Sequence, residues 1–210
     1  MEMLRIHKMV HGTKVLGPGN RVALWLQGCK RSCKGCMSPS TRSLDGGIMI
    51  ELDKLAEEIV QVKDVEGITI SGGEPFLQSR GLCMLLRKIK TASHLGVIIY
   101  TGFTVESLHE LNDEYVEEIL GGLADLIIDG EYVDELNEGS SFKGSSNQRL
   151  IFITDRYKED AHLYERKKRD AEVIVDNEGL FFIGIPEKQT LSQWEKVSED
   201  YAKKGSKGIV

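Results

Sequence analysis

The feature that most constrains the fold is an alternation of short apolar runs with segments of helical periodicity. Strands are predicted at residues 21–27, 67–70, 97–100, 124–129 and 149–153. Between the first four strands, apolar residues recur three and four positions apart, which is typical of amphipathic helices. These helices are predicted at residues 51–63, 79–92 and 104–120. Strands that alternate with helices in this way indicate an α/β domain with a largely parallel sheet.

The two ends of the chain depart from this alternation. They contain an extended stretch at residues 4–9, a charged helix at 157–169, a hairpin at 171–176 and 180–185, and an amphipathic helix at 191–204. A chain of 210 residues is close to the size of one domain, for which ~150 residues is typical. We therefore expect a single domain over residues 1–210, with a core of about 20–154 and a C-terminal extension of about 155–210.

Composition excludes several classes of protein. The chain has 27 Lys and Arg against 33 Asp and Glu, a net charge of −6, so an extended nucleic-acid interface, which needs a basic face, is not expected. No segment approaches the ~20 apolar residues of a membrane span. The first twenty residues lack the apolar stretch of a signal peptide. We expect a cytoplasmic protein that binds neither nucleic acid nor a membrane.

Three of the four cysteines form a compact motif. Cys29, Cys33 and Cys36 are spaced C-x3-C-x2-C and directly follow the first predicted strand. In a reducing compartment such a cluster indicates metal binding or catalysis. Three thiolates suit an iron–sulfur cluster and leave one iron open, whereas zinc normally takes a fourth ligand. Zinc, or no metal at all, remain the alternatives. Cys83 lies within a predicted helix and is expected to be a packing residue.

Polar and glycine-rich segments follow three further strands. Gly72, Gly73 and Glu74 come after residues 67–70, Thr101 follows 97–100, and Asp129 ends 124–129. Ligands of parallel sheets bind outside the carboxyl ends of the strands, so we expect these segments to meet the cysteines at one edge. Each also has a structural interpretation: the Gly-Gly-Glu segment as a strand-ending turn, Asp129 as a cap of the following turn, and Thr101 in a similar role to Asp129.

The cysteine motif, followed by Ser71-Gly72-Gly73-Glu74-Pro75, resembles the radical S-adenosylmethionine enzymes. Further segments are similar to one branch, the anaerobic ribonucleoside-triphosphate reductase activating enzymes. These segments are residues 26–47, 100–103, 124–132 and 143–149. The similarity extends over about residues 20–154. It implies a partial (β/α) barrel of the radical S-adenosylmethionine type, with the C-terminal hairpin and helix as an extension.

The resemblance also implies an activity, a glycyl-radical activating enzyme. A [4Fe-4S] cluster would cleave S-adenosylmethionine reductively to a 5′-deoxyadenosyl radical. That radical would take a hydrogen atom from a glycine of a glycyl-radical protein, here an anaerobic ribonucleotide reductase. Reduced flavodoxin or ferredoxin would supply the electron. The alternatives are a radical reaction on a small molecule or peptide and, in another class, a non-enzymatic iron–sulfur or zinc binding module.

The resemblance also implies which residues form the site, because positions of this sequence match the site motifs of the family. Cys29, Cys33 and Cys36 would be the metal ligands. The S-adenosylmethionine site would comprise Gly35, Cys36, Met37, Gly72, Gly73 and Glu74, with Thr101 and Asp129 as further candidates. Glycines let a backbone approach a ligand closely, and a glutamate accepts a charge-assisted hydrogen bond from the amino group. Many members have an aromatic residue where this chain has Gly35, so Met37 or Phe76 is expected to stack on adenine.

The cysteine loop is basic within an acidic protein. Lys30, Arg31, Lys34 and Arg42 lie in or beside it. These residues would either offset the negative charge of a cluster or dock an electron donor.

Overall fold

A computed structural model describes residues 2–138, 140, 142–176, 179–186, 190, 193, 194, 196–198 and 201. Seven strands form one sheet, in the spatial order β3-β1-β2-β4-β5-β6-β7. Their bounds are β1 (Met3–Thr13), β2 (Arg21–Leu26), β3 (Ile48–Glu51), β4 (Gly67–Gly72), β5 (Gly96–Tyr100), β6 (Leu126–Asp129) and β7 (Arg149–Phe152).

The four central strands of the sheet run parallel. β2, β4, β5 and β6 pair in register, with Leu24 beside Ile70 and Ile70 beside Ile99. The outer strands β1, β3 and β7 pair antiparallel to their neighbours. The predicted α/β class and parallel centre are confirmed. Over the described residues the sheet is open, with β3 and β7 at its two edges, and no closed barrel is formed.

Helices cover one face of this sheet. They are α1 (Leu52–Gln61), α2 (Ser79–Ala92), α3 (Val105–His109) and α4 (Glu114–Glu118), with a π-helical turn at Ile119–Leu123 and 3-10 turns at Pro39–Thr41, Pro75–Gln78 and Asp134–Leu136. Leu55 of α1 and Leu85 of α2 are fully buried against the apolar side chains of the strands. Cys83 is fully buried in the same core, as its helical position predicts.

Two predicted helices differ from those observed. The stretch 104–120 is divided, because Asn112 has a left-handed φ of 50° and Asp113 caps a new helix by accepting the Tyr115 N–H at 2.9 Å. Within residues 157–169 only α5 (Ala161–Tyr164) is α-helical. Tyr157 and Tyr164 are both fully buried there, and their seven-residue separation is bridged by turns rather than by one continuous helix.

The other face of the sheet is covered in part by the C-terminal extension. β8 (Ala171–Asp176) and β9 (Gly179–Gly184) form the predicted antiparallel hairpin. Phe181 and Ile183 of β9 pack with Val15, Leu16 and Trp25. The Thr13 hydroxyl donates to the Glu172 carboxylate at 2.6 Å, which fastens β8 to the end of β1.

The predicted C-terminal helix lies partly outside the described residues. Within its range, residues 193, 194, 196–198 and 201 are helical. Among the helices of the described chain, none has the length and apolar character that a membrane span requires.

A buried cation lies under the sheet at the amino ends of the parallel strands. Arg21 is fully buried, and its guanidinium donates to the Thr69 and Tyr157 hydroxyls, both at 2.7 Å. Its remaining partners are the carbonyls of Pro18, Ile68 and Gly96. Burying a charge is costly unless it is hydrogen-bonded, so these five acceptors hold β2, β4, β5 and the Tyr157 segment together.

Candidate active site

The carboxyl ends of β2, β4 and β5 surround a cavity of about 540 Å³. Most of the residues predicted from the sequence line it together. They are Cys29, Cys33, Gly35, Cys36, Met37, Gly72, Gly73, Glu74 and Thr101. The expected meeting of the cysteine loop with the ends of β4 and β5 is therefore observed, while the binding roles of these residues stay predictions.

Close backbone contact fixes the cysteine loop against the end of β4. The Gly73 N–H donates to the Leu26 carbonyl, and the Glu74 N–H to the Gly28 carbonyl, both at 2.8 Å. Gly72 has a φ of 112°, and a Cβ on Gly73 would lie 2.2 Å from the Gly28 oxygen. Only glycine tolerates such geometry. The two glycines thus bring the loop that begins at Gly28 directly beside the Glu74 carboxylate.

Glu74 links the ends of β4 and β5. Its carboxylate is 2% exposed and accepts from the Thr101 hydroxyl at 2.8 Å and the Gly102 N–H at 2.9 Å. The Phe76 N–H donates at 3.1 Å. Burial raises the pKa of Glu74, while these three donors favour its charged form. A buried carboxylate held in place in this way suits recognition of a cation.

The three thiols are partly buried and differ in their contacts. Cys29 Sγ accepts the Arg31 N–H at 3.4 Å, and Cys33 Sγ donates to Glu131 Oε1 at 3.3 Å. Burial raises the pKa of Cys29, and burial together with Glu131 raises the pKa of Cys33 to about 11. Metal binding must therefore displace protons from these thiols.

The donor set fits an iron–sulfur cluster, because three thiols, the ligand type of such clusters, line one cavity. Within the described part of the chain, no three His, Cys, Asp or Glu side chains are already arranged around a metal position.

Asp129 lies away from this cavity. It is fully buried, and its carboxylate accepts from the Val105 N–H and from Arg149 Nε, both at 2.9 Å. Arg149 also binds Glu106. The carboxylate therefore has a structural role, but it holds the start of α3 and not the turn that follows Asp129, as the sequence had suggested.

The far wall of the cavity is aromatic and was not predicted from the sequence. Trp25 and Phe181 meet edge to face with ring centroids 5.0 Å apart, and Phe182 and Trp194 lie 5.1 Å apart. All four rings line the cavity. The alternation in β9 indicates which side chains share a face, but no local signal shows that the hairpin packs beside β2.

Of the two side chains expected to stack on adenine, Met37 lines the cavity. Phe76 instead belongs to the core beneath α2. The segment 143–149, which is similar to the activating enzymes, forms a polar turn that leads into β7. In this turn the Gln148 side-chain amide accepts from the Gly144 N–H at 2.8 Å and donates to the Gly130 carbonyl at 2.9 Å.

The fold and the thiol-lined cavity define an iron–sulfur domain, and this chain belongs to the 4Fe-4S single cluster domain family, which matches residues 15–151. Among curated proteins, the anaerobic ribonucleoside-triphosphate reductase-activating protein of Vibrio cholerae is 32% identical over 148 residues, 67% of this chain and 92% of the relative. The proteins of the same name from Pasteurella multocida and Enterobacteria phage T4 are each 31% identical, over 67% of this chain and 92% and 89% of their own lengths. The family resemblance inferred from the sequence is confirmed.

Proposed function

We propose that this chain is a glycyl-radical activating enzyme that acts on an anaerobic ribonucleotide reductase. Cys29, Cys33 and Cys36 would hold a [4Fe-4S] cluster. When bound, the cluster would supply one electron that breaks a C–S bond of S-adenosylmethionine, giving methionine and a 5′-deoxyadenosyl radical that takes a hydrogen atom from a glycine of the reductase. The partial (β/α) barrel of radical S-adenosylmethionine enzymes is the arrangement we propose for the open sheet.

One observation carries this proposal: the thiols and the buried Glu74 carboxylate face the same cavity of about 540 Å³. Small-molecule sites in proteins are typically cavities of ~300–1,000 Å³, so the volume of this cavity is in the range that a small ligand such as S-adenosylmethionine requires. The names of the curated relatives, which match over most of their length, support the identity of the protein substrate.

The chain's own residues would bind and orient the nucleoside. Gly73 and Glu74 would receive the amino group, and the donors from Thr101 and Gly102 keep the Glu74 carboxylate in position. Trp25, Phe181, Phe182 and Trp194 line one side of the cavity, and these aromatic side chains would exclude water from that side. Exclusion of water protects a reactive intermediate from side reactions.

The electron would come from reduced flavodoxin or ferredoxin. Lys30 of the cysteine loop is exposed, and Lys34 is exposed beside its partner Glu135 at 3.2 Å. Of these two cations, Lys34 is paired with a carboxylate, so the exposed Lys30 is the basic contact proposed for a donor with acidic surface charge.

The test is anaerobic reconstitution of the protein with iron and sulfide, followed by dithionite and S-adenosylmethionine. We expect cluster absorbance and release of 5′-deoxyadenosine in the wild type, and neither in Cys36→Ala. The matched control is Cys83→Ala, which removes a thiol buried in the core and keeps both signals. Equal iron and sulfide in Cys36→Ala and the wild type would contradict the ligand assignment.

The substrate is tested separately with an anaerobic ribonucleotide reductase. Electron paramagnetic resonance should detect a glycyl radical in the reductase after incubation with the reduced, loaded wild type and S-adenosylmethionine. Release of 5′-deoxyadenosine without a glycyl radical would favour a reaction on a small molecule or peptide. A loaded cluster without any 5′-deoxyadenosine would favour a non-enzymatic iron–sulfur module.

A further inference from the structure

Arg31, in the cysteine loop, has a buried N–H group that no acceptor in the described residues satisfies. It lines the cavity, and its Nε is buried with no hydrogen-bond partner among the described residues. More than ~90% of buried polar groups in proteins are hydrogen-bonded. An unpaired N–H at a cavity wall therefore indicates that its acceptor belongs to a bound molecule.

The two neighbouring carboxylates leave the Nε–H of this guanidinium without an acceptor, although Nη1 donates a long hydrogen bond to Glu131. Glu74 Oε2 is 3.9 Å from Arg31 Nε, and Glu131 Oε2 is 3.5 Å from Nη1. Charge-assisted hydrogen bonds are ~2.7–2.9 Å long. Glu74 already accepts from three other donors, so it is held in place and is not available to move toward Arg31.

The guanidinium is nevertheless fixed in position before any ligand arrives. Its Cζ lies 4.4 Å from the centroid of the Phe103 ring, a cation–π contact. A Cβ on Gly102 would lie 2.6 Å from Arg31 Cδ, so the absence of a side chain there makes room for Arg31. A planar fork held in this way is suited to a carboxylate.

We propose that Arg31 binds the carboxylate of the α-amino acid end of the nucleoside substrate, S-adenosylmethionine. This inference rests on the proposed function. An α-amino acid presents an ammonium and a carboxylate on one carbon, and the cavity presents the complementary pair, Glu74 and Arg31, side by side. Three hydrogen bonds to Glu74 leave one of about four acceptor positions of its carboxylate for the ammonium.

The test compares two ligands that differ only in the carboxylate, S-adenosylmethionine and decarboxylated S-adenosylmethionine. Their dissociation constants are measured by equilibrium dialysis on cluster-loaded, oxidised protein, so that no turnover occurs. Arg31→Met should weaken S-adenosylmethionine binding about tenfold to a hundredfold, the size of effect of a hydrogen bond to a charged group. Binding of the decarboxylated ligand should change less than about twofold, because that ligand has no partner for Arg31.

Two further variants separate position from charge. Lys54→Met, the control, removes a cation from α1 at a side chain that is 79% exposed, and should leave both dissociation constants unchanged. Gly102→Ala keeps the Arg31 charge and displaces its guanidinium, so it should weaken binding of S-adenosylmethionine alone. It tests the inference even if Arg31→Met loads no cluster, and iron and sulfide per chain are measured for every variant.

The inference is overturned if the wild type binds S-adenosylmethionine and the loss in Arg31→Met is equal for the two ligands or absent. It is also overturned if Arg31→Met takes up no cluster and Gly102→Ala shows no selective loss. If the wild type binds neither ligand, the proposed function itself fails, and this inference falls with it.

Discussion

The cysteine loop and the C-terminal hairpin form opposite walls of one cavity but are held by different forces. Backbone contacts at Gly72 and Gly73 leave no space between β4 and the start of the loop. The hairpin is attached through side chains, Phe181 on Trp25 and Glu172 on Thr13. The start of the loop is thus held by backbone contacts that require glycine at two positions, whereas the hairpin wall depends on contacts of individual side chains.

The largest expected effect is on the hairpin. Phe181→Ala removes a ring that is 7% exposed, and losses of about 3–5 kcal/mol are usual for buried Phe→Ala changes. Hydrogen exchange should show lost protection in β8 and β9, with protection of β4 and β5 retained. The control Val175→Ala alters a side chain that is 68% exposed and should have little effect. Equal loss of protection in β4 would show that the two walls unfold as one unit.

The next effect concerns the cysteine loop. Gly73→Ala forces a Cβ to within 2.2 Å of the Gly28 oxygen, and overpacking of this kind costs about 1–3 kcal/mol. Urea unfolding of the metal-free protein measures it. Gly121→Ala is the matched control, because a Cβ there meets nothing within 4 Å. A Gly73→Ala variant that is as stable as the wild type and loads a full cluster would show that the backbone contact between Gly73 and Gly28 is not required.

A smaller effect is expected where the hairpin meets β1. Glu172→Gln replaces a carboxylate that accepts from the Thr13 hydroxyl at 2.6 Å and the Lys14 N–H at 3.1 Å. We expect a loss of about 1 kcal/mol, in the range of single hydrogen bonds. Limited proteolysis at the hairpin reports it, and exposed Glu165→Gln serves as the control. No change in cleavage rate would leave the aromatic contacts as the sole attachment of the hairpin.

The smallest effect is expected at the exposed ion pair between Glu106 and Arg149. Hydrogen bonds from Arg149 lower the pKa of Glu106 to about 2. Because this pKa is lower in the folded chain than the usual 4.5, the stabilisation is complete above pH 4.5 and is lost as the pH falls toward 2. Glu106→Gln should lower the urea midpoint slightly at pH 7 and less at pH 3. Exposed Glu110→Gln should show no such trend, and a pH-independent Glu106 effect would contradict the ion-pair explanation.

Local patterns were enough to predict the parallel strands and the cavity they surround, because burial on both faces makes such strands continuous apolar runs. β3 could not be predicted this way. Its side chains are half-buried or exposed, with Ile48 at 59%, and the strand exists because it pairs with β1 more than forty residues earlier. The length of β1 and the docking of Phe181 likewise depend on contacts between distant parts of the chain.

For the candidate site residues, the sequence predicted the strand end at which each residue lies better than it predicted what the side chain contacts. Asp129 ends its strand as expected, yet its carboxylate is used by Arg149 and the start of α3. Strand position gives the edge of the sheet at which a residue lies. The direction of its side chain depends on which donors surround it, and those donors come from other segments.

The hydrogen bonds of the Arg21 guanidinium limit where the chain can be truncated. Family similarity ends at residue 151, but the Tyr157 hydroxyl beyond that point accepts one of the Arg21 hydrogen bonds beneath β2. A chain cut at the limit of similarity would lose this hydroxyl, one of the five acceptors of the buried guanidinium, and removing the partner of a buried donor costs about 1–3 kcal/mol. The limit of family similarity and the limit of the segments that satisfy this buried guanidinium are therefore different, and the second lies beyond residue 151.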